Sequence, residues 1–294
     1  MEAILNSVSD PSDLLNVSDA SLPYRFEKIF CAQGFGAKRL ERKRLKLMKA
    51  IDPQVKRLLA PGEKVLFVSW GVHYSFVEQY FMGLWAHLVN RRALVFTDRR
   101  ILTLQINSHR KVLDLKAQLR YPAIESLAKR TWGYLGLVLQ NGKRVNLTSI
   151  PRQDRKAIQS LVQGKLDAGR ATAPVLVGME NLCPNCGRRV MGFPERCSQC
   201  AQAFKSGKRA GWLSLAFPGL GDLYLGHRWL GATEIFGALV AWALVAAPFA
   251  WAAFAETGSW IEPAGVAGGL FALVHGSDFW ITRRMGLKGI YPAD

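Results

Sequence analysis

The chain has 294 residues, enough for two or three domains at roughly 150 residues each. With 49% hydrophobic and 21% charged residues it is not a disordered chain. Its 39 Lys and Arg against 22 Asp and Glu give a formal charge of +17. An acidic substrate alone does not explain that excess, which points instead to a polyanionic partner: nucleic acid or an anionic membrane face.

The charge falls in three zones. Residues 1–30 hold two basic and five acidic side chains, residues 31–210 hold 33 and 11, and residues 211–294 hold four and six. Residues 1–35 read as an acidic, mobile N-terminal segment, with no apolar stretch of signal-peptide type. Residues 36–60 read as a basic amphipathic helical segment. Lys38, Arg39, Arg42, Lys43, Arg44, Lys46, Lys49, Lys56 and Arg57 interleave with Leu47, Met48, Ile51, Val55 and Leu58 at helical spacing. Asp52-Pro53 predicts a break and restart, with Asp52 as N-cap and Pro53 in the first helical position. Such a helix either lies on an anionic bilayer, each basic residue adding about 1 kcal/mol near the surface, or packs on the next domain with its basic face solvated. Lys43, Arg44 and Lys46 are the candidate lipid- or anion-binding residues here. The stretch lacks the interleaved aromatics that stack on bases.

Residues 61–170 read as a β-rich domain closed by a helix. Val65 to Val68, Ala93 to Phe96 and Ile101 to Leu104 are apolar runs, the last two flanking Thr97-Asp98-Arg99-Arg100. Lys111 to Arg120 alternates imperfectly. Tyr134 to Gln140 and Lys143 to Thr148 are joined by Asn141-Gly142, a strong hairpin signal because both turn residues accept positive φ. After Pro151, Ile158, Leu161, Val162 and Leu166 share a helical face. The Leu94 to Leu102 hairpin around Thr97-Asp98-Arg99-Arg100, with the later Tyr121-Pro122-Ala123-Ile124-Glu125-Ser126, resembles the bacterial pleckstrin-homology-like (PH-like) and GRAM-type families. The resemblance implies a small, partly open barrel capped by a C-terminal helix and no catalytic residues. Lipid or peptide binding is common on that fold, so Arg99 and Arg100 join the candidate anion-binding residues, with solvated turn positions as the alternative.

A linker, 171–181, leads to a cysteine motif in residues 182–204. Cys183-Pro-Asn-Cys186 and Cys197-Ser-Gln-Cys200 are two knuckles separated by ten residues. Four thiolates can meet at a tetrahedral Zn²⁺ at about 2.3 Å, and the metal keeps them ionised. Structural zinc is the expectation, and a closed site of this kind leaves no open position for catalysis. Residues 183–200 resemble the zinc ribbons that bacterial membrane proteins carry beside their membrane segments. Cys31 has no partner in the sequence pattern.

Residues 205–285 read as a membrane domain. Ile235 to Ala255 is a run of 21 residues without charge, long enough for a bilayer of roughly 30 Å hydrocarbon thickness. A second run, Pro263 to Thr282, is weaker because it holds His275, Ser277 and Asp278. Residues 211–226 are too broken to span and read as interfacial or re-entrant. Lys205, Lys208 and Arg209 before the runs and Arg283, Arg284 and Lys288 after them predict two spans, 235–255 and 263–282, with both termini cytoplasmic. Residues 286–294 form the tail. Pro218-Gly219-Leu220-Gly221-Asp222-Leu223-Tyr224-Leu225-Gly226 resembles the TM2-type family, in which such a segment opens a two-helix membrane hairpin. The matching positions are Pro218, Gly219, Gly221, Tyr224 and Gly226, with Asp222 a partial fit. Asp222, Glu234 and Asp278 are ionisable groups near the apolar runs, where charge is costly and usually functional.

No catalytic signature is present. Gly221 to Gly226 is followed by His227-Arg228 and not by Lys-Ser/Thr, and Gly34-Phe35-Gly36 precedes no βαβ pattern. The expected whole is a multidomain α+β membrane protein: a PH-like partly open β-barrel with a C-terminal helix, a small zinc ribbon and an α-helical transmembrane hairpin. The expected role is a non-enzymatic adaptor or sensor at the bacterial inner membrane. It would bind anionic lipids, a protein partner or its own second copy. Two alternatives stand: a membrane-tethered nucleic-acid-binding protein, and a transporter or channel subunit built around Asp222, Glu234 and Asp278.

Overall fold

The structure is a computed structural model that describes residues 5, 8, 10–15, 22–73, 76–128, 134–169 and 178–293. It divides into two compact units, Met1–Met191 and Gly192–Asp294. Residues 171–177 of the expected linker lie outside the described residues.

After two single-turn helices, Ser12–Leu15 and Phe26–Ile29, the first unit continues with helix α1 (Ala37–Leu58) and strand β1 (Val65–Val72). Two short helices, α2 (Phe76–Met82) and α3 (Leu84–Val89), lead to β2 (Arg91–Thr97), β3 (Arg100–Ile106) and β4 (Val112–Arg120). These four strands form an antiparallel meander. Strands β5 (Ile124–Leu127), β6 (Leu135–Leu139) and β7 (Arg144–Leu147) form a second antiparallel sheet. A bridge from Val72 to Thr148 ties the two. The β6–β7 turn is Asn141-Gly142, with Gly142 at φ +72°. Helix α4 (Arg152–Gly169) follows.

The first sheet is covered on both faces. Val68, Val95, Leu102 and Leu104 pack with Leu45, Leu47, Met48, Ile51 and Val55 of α1. Phe67, Leu94, Phe96 and Ile101 pack with the second sheet and with Ile158, Val162 and Leu166 of α4. Strands buried on both faces read as continuous apolar runs and not as alternation, which is why β2 and β3 carry six consecutive buried residues each.

Two expectations change here. Helix α1 runs unbroken through Pro53. Proline removes one backbone donor and crowds the preceding turn, but Asp52 is no N-cap: its carboxylate accepts the Tyr24 hydroxyl at 2.7 Å and pairs with Lys56. The buried apolar stripe of α1 outweighs the local break. The N-terminal stretch is also partly docked. Leu22, Tyr24, Phe26, Ile29 and Phe30 are buried beside α1, and Tyr24 bridges Val65.

The Thr97-Asp98-Arg99-Arg100 hairpin is locked from inside. The Thr97 hydroxyl accepts the Arg99 and Arg100 amides and donates to Glu63. Arg100 grips the Glu63 carboxylate through Nε at 2.9 Å and Nη2 at 2.8 Å. Burial alone would raise the Glu63 carboxyl, but the Arg100 hydrogen bonds, the Ala60 amide and Thr97 hold it below its ordinary 4.5. A depressed carboxyl stabilises the fold above its unfolded pKa and loses that contribution as pH falls through the folded value. Glu63→Gln therefore costs about 2 kcal/mol at neutral pH. It also flattens the loss of stability below pH 4.5, as thermal unfolding at several pH values would record.

The second unit holds α5 (Gly207–Ala216), α6 (Leu220–Leu225) and α7 (Arg228–Ala241), then a π-helical turn (Trp242–Ala246), α8 (Ala247–Thr257) and α9 (Ile261–Gly286). The π turn is marked by the Ala247 amide bonding back five residues to Trp242. It directly precedes Pro248, which has no amide hydrogen to donate and whose ring crowds the preceding turn. Residues Arg228–Glu256 therefore continue as one helix. Among the described residues this is the one helix long and apolar enough to cross a membrane, and only 11% of its most apolar stretch is buried. The second expected run, 263–282, lies inside α9, which does not meet the same test.

Candidate functional site

The four cysteines converge. The sulfur atoms of Cys183, Cys186, Cys197 and Cys200 lie within 4.8 Å of one another, and no disulfide joins them. A tetrahedral metal with bonds of about 2.3 Å needs sulfurs about 3.8 Å apart, so the group can hold a metal ion. Each knuckle is folded by the same backbone device. The Gly187 amide returns to the Cys183 carbonyl at 2.9 Å, and the Ala201 amide returns to the Cys197 carbonyl at 3.0 Å. Both turn residues sit in the left-handed region, Gly187 at φ +71° and Ala201 at φ +57°. A Cβ costs about 1 kcal/mol there. Ala201→Gly should raise the melting temperature of the metal-loaded chain, and Gly187→Ala should lower it more, because its Cβ would sit 2.6 Å from Leu58.

The first knuckle grows out of the large sheet. Strand β8 (Glu180–Leu182) pairs with β4, placing Leu182 opposite Lys116, and β9 (Arg189–Val190) pairs with β8. Residues 180 and 181, read from sequence as linker, are thus sheet. The Lys116 ammonium donates to Pro184 O at 2.7 Å and Gln54 Oε1 at 2.9 Å, and burial holds it below the usual lysine range. In the second unit the other knuckle is tied to the C-terminal tail: the Lys205 amide donates to Tyr291 O and the Ala293 amide to Ala203 O. Cys31 is exposed and takes no part in the cluster.

The basic candidates separate. Lys43, Lys46 and Arg99 are exposed. Arg44 is not a surface residue: it is 1% exposed, its Nη2 meets Asp154 at 2.6 Å, its Nη1 donates to Ile29 O, and it lies 4.8 Å over the Phe67 ring. Arg100 is spent on Glu63, Gln118 and Leu58 O. Both side chains serve the fold, because their guanidinium groups satisfy internal carboxylates and carbonyls.

Sequence reasoning missed Arg91 and Arg110. With Lys43, Trp70, Ile106 and Ser108 they line a hollow of about 220 Å³. Burial first, then the neighbouring Arg91, lowers the Arg110 guanidinium from its ordinary value. The hollow lies at the end of the sheet where β1 leads into α2 and α3 and where β3 turns into β4. On those helices Tyr80 is 76% and Leu84 74% exposed. The signal existed in the sequence as isolated charges at strand ends, but only the meander brings them together.

In the second unit the residues of the Pro218 to Gly226 segment pack closely. Pro218, Gly219, Gly221 and Asp222 are buried. Gly219 has φ +85° and approaches Gly231, and Gly221 leaves no room for a Cβ beside the Ala210 carbonyl oxygen. The Tyr224 hydroxyl accepts the Ser206 amide at 3.1 Å, with Arg209 5.5 Å from the ring centre. Gly226, at φ +99°, closes α6. Asp278 Oδ2 accepts the Gly219 amide at 2.8 Å, and the single Thr282 hydroxyl lies between the two carboxyls, 2.7 Å from Asp222 Oδ2 and 3.1 Å from Asp278 Oδ1. Carboxylate oxygens of Asp222, Glu234 and Asp278 lie within 4.8 Å of one another. His275 links Trp242 Nε1 at 3.2 Å to Leu215 O at 2.9 Å, so its Nε2 accepts and its Nδ1 donates.

No protein-family model matches the chain, and no curated protein matches it. A solved structure, the crystal structure of the C-terminal domain of an unknown protein from Leishmania infantum, is similar over 40% of this chain and 94% of its own. The identity is 13% and the TM-score 0.28, too low to carry any structural argument.

Proposed function

We propose that the chain is a non-enzymatic, membrane-anchored binding module of the bacterial inner membrane. Its first unit is a PH-like domain that docks on an anionic leaflet, and its four cysteines hold a structural Zn²⁺. The observation that carries this reading is the exposed apolar helix Arg228–Glu256, of which only 11% of the most apolar stretch is buried. A core helix of a soluble protein would be covered, whereas a lipid-facing helix needs no protein cover.

Further observations support the finer parts. Four strands, then three, then a helix is the order expected of a PH-like domain. Helix α9 is the second arm of the hairpin: its Arg283 and Arg284 end matches the Lys205, Lys208 and Arg209 flank in charge, so both ends stay on the cytoplasmic side. A four-sulfur site suits zinc and leaves the metal no open position. The Lys43, Arg91 and Arg110 hollow offers a positive site for an anionic headgroup, and Tyr80 and Leu84, on the helices between β1 and β2, are exposed apolar side chains able to enter the interface.

The test reconstitutes the full chain in nanodiscs of neutral phosphatidylcholine or of phosphatidylcholine with phosphatidylglycerol. Amide exchange of residues 106–110 should slow only in the anionic discs, and Arg110→Glu should abolish the difference. Equal exchange in both discs would rule out headgroup docking and leave a protein partner for the hollow.

A further inference from the structure

We infer that Asp222, Glu234 and Asp278, from α6, α7 and α9, form a binding site for a hard divalent cation. The inference goes beyond the docking function and does not depend on it.

Three carboxylates with oxygens within 4.8 Å of one another are unusual inside a packed helical unit. Asp222 is 0% exposed and Asp278 8%. Their protein partners do not balance them. Asp278 is served by the Gly219 amide and the Thr282 hydroxyl, and the same hydroxyl reaches Asp222 Oδ2. Asp222 Oδ1 and Glu234 Oε2 are buried with no donor from another residue, so only a proton shared between the two carboxyls or a cation can satisfy them. Among the described residues no salt bridge reaches any of the three. Carboxylates in a water-poor site need a counter-charge or a proton.

A second feature, outside the acidic group, points to a bound ion. Ser214 on α5 is 0% exposed, and its hydroxyl lies beside Asp278 without a well-formed hydrogen bond. A buried polar atom without a partner is costly, and an ion would supply the missing contact for it and for both orphaned carboxylate oxygens together. Gly221 keeps that space open. A Cβ there would sit 2.5 Å from Ser214 Oγ and 2.7 Å from the Thr282 methyl group.

The donor set is entirely oxygen, carboxylate and hydroxyl, with no thiol or imidazole in the triad. That selects hard cations of the Mg²⁺, Ca²⁺ and Mn²⁺ class over zinc or copper. Three helices would be cross-linked by one ion, so the cation would also set the packing of the unit.

The experiment uses the full chain in detergent with its cysteine centre loaded, and Mn²⁺ as the probe read by electron paramagnetic resonance. The expected result is saturable binding of a single Mn²⁺ per chain, displaced by Mg²⁺ or Ca²⁺. Asp222→Asn should weaken it about tenfold or more, with the zinc content unchanged. Glu234→Gln, at a less buried position, and Ser214→Ala, which changes no charge, carry the test if Asp222→Asn does not fold, and each should weaken Mn²⁺ binding while keeping the helical content. Absence of saturable binding overturns the inference, as does binding that survives Glu234→Gln and Asp222→Asn. So does a wild-type melting temperature indifferent to all three cations while Asp222→Asn raises it, since protons alone would then hold the carboxyls together.

Discussion

Stripping the metal from the four cysteines should unfold the ribbon and fray the sheet edge that carries it. Small structural zinc sites contribute apparent binding free energies of about 10–16 kcal/mol at neutral pH, much of it as folding energy, and the proposed zinc would act in the same way here. A strong chelator, or Cys183→Ser, should remove amide-exchange protection from the knuckle bonds at Cys183 and Cys197. The loss should extend through β8 to its partners Lys116, Ala117 and Gln118 on β4. It should stop before β2 and β3, which are held by the two buried clusters. A reductant without chelator should change nothing, because no disulfide joins these residues. Full protection after chelation would mean that the knuckle turns stand without metal.

The second large effect lies at Arg44. Arg44→Met should destabilise the first unit by about 3–5 kcal/mol, because it leaves Asp154 buried and unpaired. Asp154 is 1% exposed, and its other oxygen accepts the Ser69 hydroxyl at 2.5 Å. Burial already pushes its carboxyl up, against the pull of Arg44. Asp154→Leu alone should cost a similar amount for the mirror reason. The double variant Arg44→Met, Asp154→Leu should recover most of the loss, since apolar groups of similar volume replace a buried pair at little cost. Thermal unfolding of the four proteins forms a double-mutant cycle that reads the coupling directly. Simple additivity would show that the pair is not coupled. Surface binding is a separate matter: Lys43→Glu should weaken contact with anionic lipid with little effect on stability.

The strands of the first unit were legible because their signals are local. Asn141-Gly142 makes the predicted hairpin, Thr97 to Arg100 makes the predicted turn, and the Ile158, Val162 and Leu166 face is the buried face of α4. The CxxC pairs were legible for the same reason: each knuckle closes within five residues, and the four sulfurs converge as the spacing implies. What escaped the sequence depends on distant partners. Arg44 looks like one more charge in a basic helix, and only Asp154, 110 residues away, makes it an internal residue. Pro53 reads as a break until the buried stripe of α1 is seen to span it. The basic candidates read from sequence are likewise separated by contacts that local spacing does not carry. Lys43 lines the basic hollow, whereas the arginines beside it come from strand ends far along the chain. In the second unit, hydropathy marked the long helix but not where it begins, because the π turn before Pro248 lets Arg228 and Glu256 share one helix.

Anchoring is tested most directly by washing membranes from cells that produce the full chain with alkaline carbonate. A chain held by the Arg228–Glu256 helix stays in the pellet and leaves it only with detergent. Release into the alkaline supernatant would mean that the apolar surface of that helix is covered by protein, and the membrane-anchored reading would fall with it.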